Sequence, residues 1–370
     1  MLIGSATPNG GGGSCAIIEQ VRRENGMHQE IITLSEERNV TLTAMIQGVG
    51  GEFRGISARP AVLVIPGGGY QFCSDREADP VAFAYLKAGY HAFILRYSVG
   101  EYSEWPQPLL DYEQAMECIL ENAEKWHVVK DKIAAIGFSA GGHLAGAAAT
   151  MACHRPAAAI LGYPVLREET ALELGISMPG IPEHVDENTC PCFLYATRTD
   201  SVVPIQNTID MIDALNRYHT TFECHIYAYG PHGFSTGDHS VQSCETLIPD
   251  RASGWVEDSI SWLRDLFGDY GNEGLLRPVL RPHVNDDALA WLSLDCSISR
   301  IFGNPKAREV LSGTIQKMRE KIVPFTPEMT FEDMMQALGK MTLRDLLVER
   351  GIDTDKLDEM NEALGKIPNI

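Results

Sequence analysis

Ile133-Ala134-Ala135-Ile136-Gly137-Phe138-Ser139-Ala140-Gly141-Gly142-His143-Leu144-Ala145 is the stretch that decides the fold. Its first four residues are a short apolar run bounded by glycine, which reads as a buried strand. The alanine-rich tail Gly142-His143-Leu144-Ala145-Gly146-Ala147 reads as a helix. Between them Gly137-Phe138-Ser139-Ala140-Gly141 matches G-x-S-x-G. Chance alone can supply that pattern; a strand on one side and a helix on the other give it specificity. A serine held in a strained turn needs neighbours without bulk, and glycine supplies them. The turn also sets Ser139 at a helix N-terminus, where the dipole favours developing negative charge. Ser139 is therefore the candidate nucleophile.

Outward from this point the chain alternates. Strands are predicted over Glu30–Leu34, Val40–Gln47, Ala61–Pro66, His91–Tyr97, Lys132–Gly137, Ala157–Tyr163, Phe193–Thr197 and Phe222–Tyr229. Helices are predicted over Pro80–Ala88, Pro108–Trp126, Ala140–Met151, Ile205–Arg217 and Trp255–Phe267. The first two strands suit an antiparallel hairpin. The later alternation implies parallel strands with crossover helices, and continuous apolar runs such as Ala61–Ile65 suit a sheet covered on both faces.

Three further elements complete a reaction site. Pro66-Gly67-Gly68-Gly69-Tyr70 follows a predicted strand, and a glycine run lets backbone N–H groups approach an oxyanion. The expected donors are the N–H groups of Ala140 and of Gly68 or Gly69. A phosphate-cradling loop is the alternative, but no Lys-Ser/Thr pair follows. Asp200 lies just past a strand, where it can orient a base; an N-cap for the next helix is the blander reading, and Asp186 is a weaker competitor. His232, in Tyr229-Gly230-Pro231-His232-Gly233-Phe234, sits on a short loop after the last strand and suits a general base. The order Ser139, Asp200, His232 is the order of α/β-hydrolase triads. Blander roles fall to five neighbours. His143 reads as a helix-packing group, Cys73 as a packed thiol and Trp105 as a core side chain or else as a loop residue lining a carbohydrate-binding face. Arg76 and Glu77 read equally as a brace for the glycine loop or as a surface pair.

The stretches Pro66–Tyr70, Arg76-Glu77-Ala78-Asp79-Pro80-Val81-Ala82 and Gly89-Tyr90-His91-Ala92-Phe93-Ile94-Leu95-Arg96-Tyr97-Ser98-Val99 resemble the bacterial acetyl-esterase and feruloyl-esterase-like branch of the α/β-hydrolases. Gly137–Ala145 fits the same branch, and the likeness runs from about Met27 to Phe267. The resemblance implies a mostly parallel eight-stranded α/β sheet flanked by helices. It also implies removal of acetyl, or alternatively feruloyl, groups from xylan or its oligosaccharides. The rivals are a serine peptidase of the same fold and a non-catalytic carbohydrate-binding protein. Ser299–Leu311 and Met341–Leu346 resemble a small helical module found at the end of some carbohydrate-active enzymes.

The domain reading follows. Residues 1–26, with Gly10-Gly11-Gly12-Gly13-Ser14, read as a leader or cloning-derived segment. Residues 27–272 form the catalytic domain, in which the polar stretch 164–190 is a cap or pocket-lining insertion, or else a surface excursion. Residues 273–290 are a linker, and 291–370 a small all-helical domain with capping boxes at Thr330-Phe331-Glu332-Asp333 and Thr342-Leu343-Arg344-Asp345.

Of the 370 residues, 44% are hydrophobic and 22% charged, as in ordinary globular enzymes. The net charge of −20 argues against a nucleic-acid partner. The nine cysteines are scattered and odd in number, which reads as reduced thiols in the cytoplasm. Cys190-Pro191-Cys192 has no second ligand pair, so no metal and no cofactor are expected. No apolar run of about 18 residues suggests a membrane span, and the N-terminus has no apolar segment of signal-peptide type. The expected partner is a small-molecule or oligosaccharide ester; nothing in the sequence speaks to oligomeric state.

Overall fold

The computed structural model describes residues 26–241, 250–272, 274–276, 278–284, 291–313, 338–339 and 341–369. The leader apart from Gly26, part of the 273–290 linker, Thr330–Asp333, Cys15 and Cys244 lie outside the described residues.

Eight strands form one sheet: β1 (His28–Ser35), β2 (Val40–Ile46), β3 (Arg59–Ile65), β4 (His91–Arg96), β5 (Val128–Phe138), β6 (Ala158–Gly162), β7 (Cys192–Thr197) and β8 (Phe222–Tyr227). Their order across the sheet is β1-β2-β4-β3-β5-β6-β7-β8. β1 and β2 pair antiparallel, and so do β2 and β4, whereas β4, β3, β5, β6 and β7 run parallel. The burial patterns carry the reason. Every residue of β3 is buried, as a strand with helices on both faces requires. On β1 exposed and partly buried residues alternate through the middle of the strand, as at a sheet edge with one face in water.

β5 is longer than its sequence suggests. Lys130-Asp131-Lys132 masks its beginning, yet Val128 pairs with Arg59 before the register shifts and Ile133 pairs with Ala61. Up to Phe267 the α-helices of six residues or more are α1 (Asp79–Lys87), α2 (Gln107–Glu121), α3 (Ala140–Met151), α4 (Glu168–Glu173), α5 (Gln206–Arg217) and α6 (Trp255–Phe267). The short α4 falls where the polar sequence gave no helical period. The core beneath one face of the sheet gathers Val62, Val64, Ile136, Phe138, Phe193, Tyr195 and Trp255. Trp255 stacks on Tyr195 with ring centroids 4.5 Å apart and donates its indole N–H to Ser235 O at 2.9 Å. That bond ties α6 to the loop that carries His232.

Contacts divide the chain into two units, one of residues 1–184, 192–211 and 223–280, the other of 185–191, 212–222 and 281–370. The second unit has its own core, built from Leu292, Leu294, Ile298, Ile301, Leu343, Leu346, Leu347, Leu357 and Leu364. Its described helices are α7 (Ile298–Gly303), α8 (Pro305–Val310), α9 (Leu343–Glu349) and α10 (Thr354–Leu364). Thr342 caps α9 by accepting from Asp345 N at 3.1 Å while its hydroxyl donates to the Asp345 carboxylate at 2.6 Å. Within this unit Asp295 takes a two-pronged ion pair from Arg344, at 2.7 and 3.0 Å, and a further one from Arg281. Among the described residues no helix is long and apolar enough to cross a membrane.

Candidate active site

Ser139 sits between β5 and α3 with φ +52° and ψ −117°, a conformation that costs a non-glycine residue about 1–3 kcal/mol. Packing holds it there. Ser139 N–H donates to Gly162 O at 3.0 Å, and Val165 N–H donates to Ser139 O at 3.2 Å. The neighbouring glycines are required by space. A Cβ on Gly137 would lie 2.0 Å from Gly141 O, and one on Gly141 would lie 2.2 Å from Ile65 O.

The structure brings the three expected side chains into one chain of hydrogen bonds. His232 Nδ1 lies 2.7 Å from Asp200 Oδ2, and Nε2 lies 2.9 Å from Ser139 Oγ. An ionised carboxylate only accepts, so Nδ1 carries the proton and Nε2 is left to accept from the Ser139 hydroxyl. Water is largely kept from the pair: the Asp200 side chain is 1% exposed and that of His232 17%. Asp200 also holds its own turn, because Oδ1 accepts from Val202 N at 2.8 Å and Val203 N at 2.9 Å. The cap-like role and the orienting role therefore both exist, one on each oxygen. Asp186 is engaged in a local turn, accepting from Asn188 N at 3.0 Å and from the Thr189 hydroxyl at 3.0 Å.

Gly68, Gly69 and Ala140 line the same pocket as Ser139 and His232, a cavity of about 340 Å³. Gly67 N–H is already committed, donating to Glu77 Oε2 at 2.9 Å. No hydrogen bond among the described residues uses the N–H of Gly68 or Gly69. Apolar side chains complete the walls: Phe72, Val165, Leu174, Ile176 and Val202. Three of these come from the 164–190 stretch.

Arg76 and Glu77 are a brace and not a surface pair. Besides Gly67, Glu77 accepts from Tyr163 OH at 2.6 Å, and burial raises its pKa. The Tyr163 ring packs against His232 with centroids 5.0 Å apart, and its hydroxyl accepts from Ser235 N at 3.1 Å. Arg76 donates to Gly233 O at 3.0 Å and Val241 O at 3.2 Å. One acid–base pair thus fastens the glycine loop and the histidine loop together. Tyr163 was not legible as part of this brace, since it ends a strand and looks like core.

Cys73 is a packed thiol whose pKa burial pushes up to about 11, so it is no nucleophile at neutral pH. His143 is buried and neutral, its pKa lowered by burial to about 4. Of the two readings of Trp105, the core one fails: it is half-buried, beside His143, and lines a second cavity.

Residues 54–158 match the BD-FAE family model. The chain is 30% identical over 213 residues to endo-1,4-beta-xylanase B of Butyrivibrio fibrisolvens, covering 49% of this chain and 33% of that protein. It is 28% identical over 199 residues to an acetylxylan esterase of Xylanibacter ruminicola, covering 48% of this chain and 41% of that one. It therefore spans less than half the length of either curated relative. Among solved structures it is similar to MGS-M1, an alpha/beta hydrolase enzyme from a Medee basin deep-sea metagenome library. That match has 42% identity and a TM-score of 0.62, over 65% of this chain and 98% of MGS-M1. With the sheet order, the strand–turn–helix at Ser139 and this coverage in hand, the chain belongs to the α/β-hydrolase family.

Proposed function

We propose that this protein is a serine esterase that removes short acyl groups, acetyl above all, from xylan-type carbohydrates. The observation that carries the reading is the unbroken relay from Ser139 Oγ to His232 Nε2 at 2.9 Å and from His232 Nδ1 to Asp200 at 2.7 Å. In the first step His232 takes the Ser139 proton as Oγ attacks the ester carbonyl. The N–H groups of Ala140 and of Gly68 or Gly69 receive the oxyanion, aided by the N-terminus of α3. His232 then returns the proton to the leaving alcohol, and an acyl-serine remains. Water activated by the same imidazole attacks that ester and regenerates Ser139. Asp200 holds the imidazole in its useful tautomer throughout.

The names of the relatives, an acetylxylan esterase and a xylanase, support the xylan side of the reading. The scattered, odd cysteine count supports a reducing, cytoplasmic setting, which remains part of the proposal. The test is Ser139→Ala with p-nitrophenyl acetate. Turnover is expected to fall by roughly 10⁴-fold or more, and a wild-type rate would sink the assignment. Acetate against ferulate released from natural xylan fragments decides the acyl group.

A further inference from the structure

The pocket at Ser139 adjoins a larger space. A cavity of about 620 Å³ is lined by Gly69–Gln71, Ser103–Trp105, Glu168 and residues 175–179. It shares Gly69, Gln71 and Ile176 with the pocket that holds Ser139 and His232. A substrate with its ester at Ser139 can therefore extend into it directly. The volume falls within the roughly 300–1,000 Å³ of small-molecule sites.

The walls come from separate segments, and one side chain joins them. His143 is 1% exposed. Its Nε2 lies 2.9 Å from Pro179 O, and its Nδ1 lies 2.8 Å from Tyr70 OH. A carbonyl only accepts, so Nε2 donates and Nδ1 accepts from the tyrosine. The same ring meets Trp105 edge-to-face, with centroids 5.5 Å apart. No step of the acyl-transfer mechanism uses these contacts. Their effect is to hold Trp105, the glycine loop and Pro179 in a fixed frame.

The lining chemistry selects the occupant. Gln71, Ser103, Glu104, Glu168 and Ser177 present hydrogen-bonding side chains around the partly apolar surface of Trp105. Gln71, Glu104, Glu168 and Ser177 are exposed, so they stay free to pair with the hydroxyls of a polyol, whereas an aliphatic or cinnamoyl acyl group offers them no partner. Glu104 and Glu168 are carboxylates, and among the described residues no Lys, Arg or His lines the cavity, so an anionic sugar is disfavoured.

We propose that this cavity is the alcohol-side subsite and that it receives a neutral, polyhydroxylated leaving group, a sugar residue packed against Trp105. The proposal rests on the esterase reading and adds which part of the ester goes where. The test compares Trp105→Ala with wild type on acetylated xylotriose and on p-nitrophenyl acetate, whose alcohol carries no sugar. The ratio of the two KM values is expected to move by roughly tenfold against the sugar ester. An unmoved ratio overturns the proposal. So does an effect that follows the acyl group, read from acetyl and feruloyl esters of one alcohol. The p-nitrophenyl acetate rate also reports whether the variant is folded. If it is not, Trp105→Phe is read in the same way. A second arm is the double variant Glu104→Gln/Glu168→Gln. It is expected to narrow the preference for neutral over glucuronate-bearing acetyl esters by about threefold, and an unchanged preference overturns the charge selection. If Ser139→Ala keeps its turnover, the esterase reading fails instead, which separates the two.

Discussion

The turn that leaves β5 and the segment that leaves β6 end neighbouring strands of one sheet and wall the same pocket, but they are specified in different ways. The β5 turn is dictated by sterics over six residues. Gly137, Gly141 and Gly142 each lack room for a methyl group, and Ser139 is held in a strained conformation between them. The segment after β6 is polar, has only the short α4 and a 3-10 turn at Pro182–His184, and acquires its shape largely from distant partners. Ile181 N–H bonds to Leu166 O, Asn207 Oδ1 accepts from the N–H groups of Leu166 and Arg167, and His143 holds Pro179. Local constraint leaves a mark in a short window of sequence; constraint from afar does not.

The difference predicts unequal sensitivity. The largest effect belongs to Gly141→Ala, whose new Cβ would stand 2.2 Å from Ile65 O and 2.4 Å from Pro66 O. Backbone cannot rotate away as a side chain can, so a loss of at least about 3 kcal/mol is expected. Denaturant unfolding measures it. A variant as stable as wild type would show that the turn has slack and would erase the contrast.

Next comes Glu77→Gln. It keeps the shape but turns one of two acceptor oxygens into a donor, facing either Gly67 N–H or Tyr163 OH. A buried donor left without its acceptor costs about 1–3 kcal/mol. Because the strained loop carries the proposed oxyanion donors, kcat for p-nitrophenyl acetate is expected to fall by roughly 10- to 100-fold, with KM moving less. A fall in stability with kcat intact would make Glu77 a structural brace only.

How much of this was legible follows the same division. All eight strands were readable, the buried parallel ones as continuous apolar runs and the hairpin strands β1 and β2 as closely spaced β-branched runs. The start of β5 was hidden by Lys130-Asp131-Lys132, and the antiparallel pairing of β2 with β4 leaves no trace in either strand alone. Ser139, Asp200 and His232 stood out as chemistry-bearing residues at strand ends. Glu77 stood out only halfway, since Asp75-Arg76-Glu77 reads equally as a brace or as solvated charge until Tyr163 and Gly67, far away in sequence or across a turn, are seen to bond it. Trp105 was left between a core role and a carbohydrate-facing one for the converse reason. A lone tryptophan beside proline carries no sign of whether a second layer covers it.

A third effect concerns pH and the His143 wall. The folded pKa of His143 is lowered to about 4, against 6.5 ordinarily. Between these values the unfolded chain binds a proton that the native chain refuses. Stability from this group is thus complete above pH 6.5 and is lost as pH falls toward 4. The full loss is about 3 kcal/mol at 1.36 kcal/mol per pKa unit. His91 on β4, lowered likewise to about 4, adds in the same direction. His143→Gln is expected to be less stable at pH 7 yet to lose less stability between pH 7 and pH 5. Parallel slopes for the two proteins would mean that His143 is not the neutral strut described.

The smallest effect, and the sharpest use of the comparison, lies within the glycine loop itself. Gly67 and Gly69 are two residues apart and look equivalent in sequence. A Cβ on Gly67 would lie 2.7 Å from Phe138 O and 3.0 Å from Ser139 Cβ, whereas one on Gly69 would meet nothing within 4 Å. Gly69 does have φ +62°, so alanine there carries the left-handed penalty of about 1 kcal/mol and little else. Gly67→Ala must move the elbow or the loop and belongs with Gly141→Ala. Paired unfolding curves are expected to separate the two variants by about 2 kcal/mol, Gly69→Ala the milder. Equal losses would mean that the backbone around Gly67 yields at little cost, and that the closeness of the β5 turn is not what makes Gly67 need to be glycine.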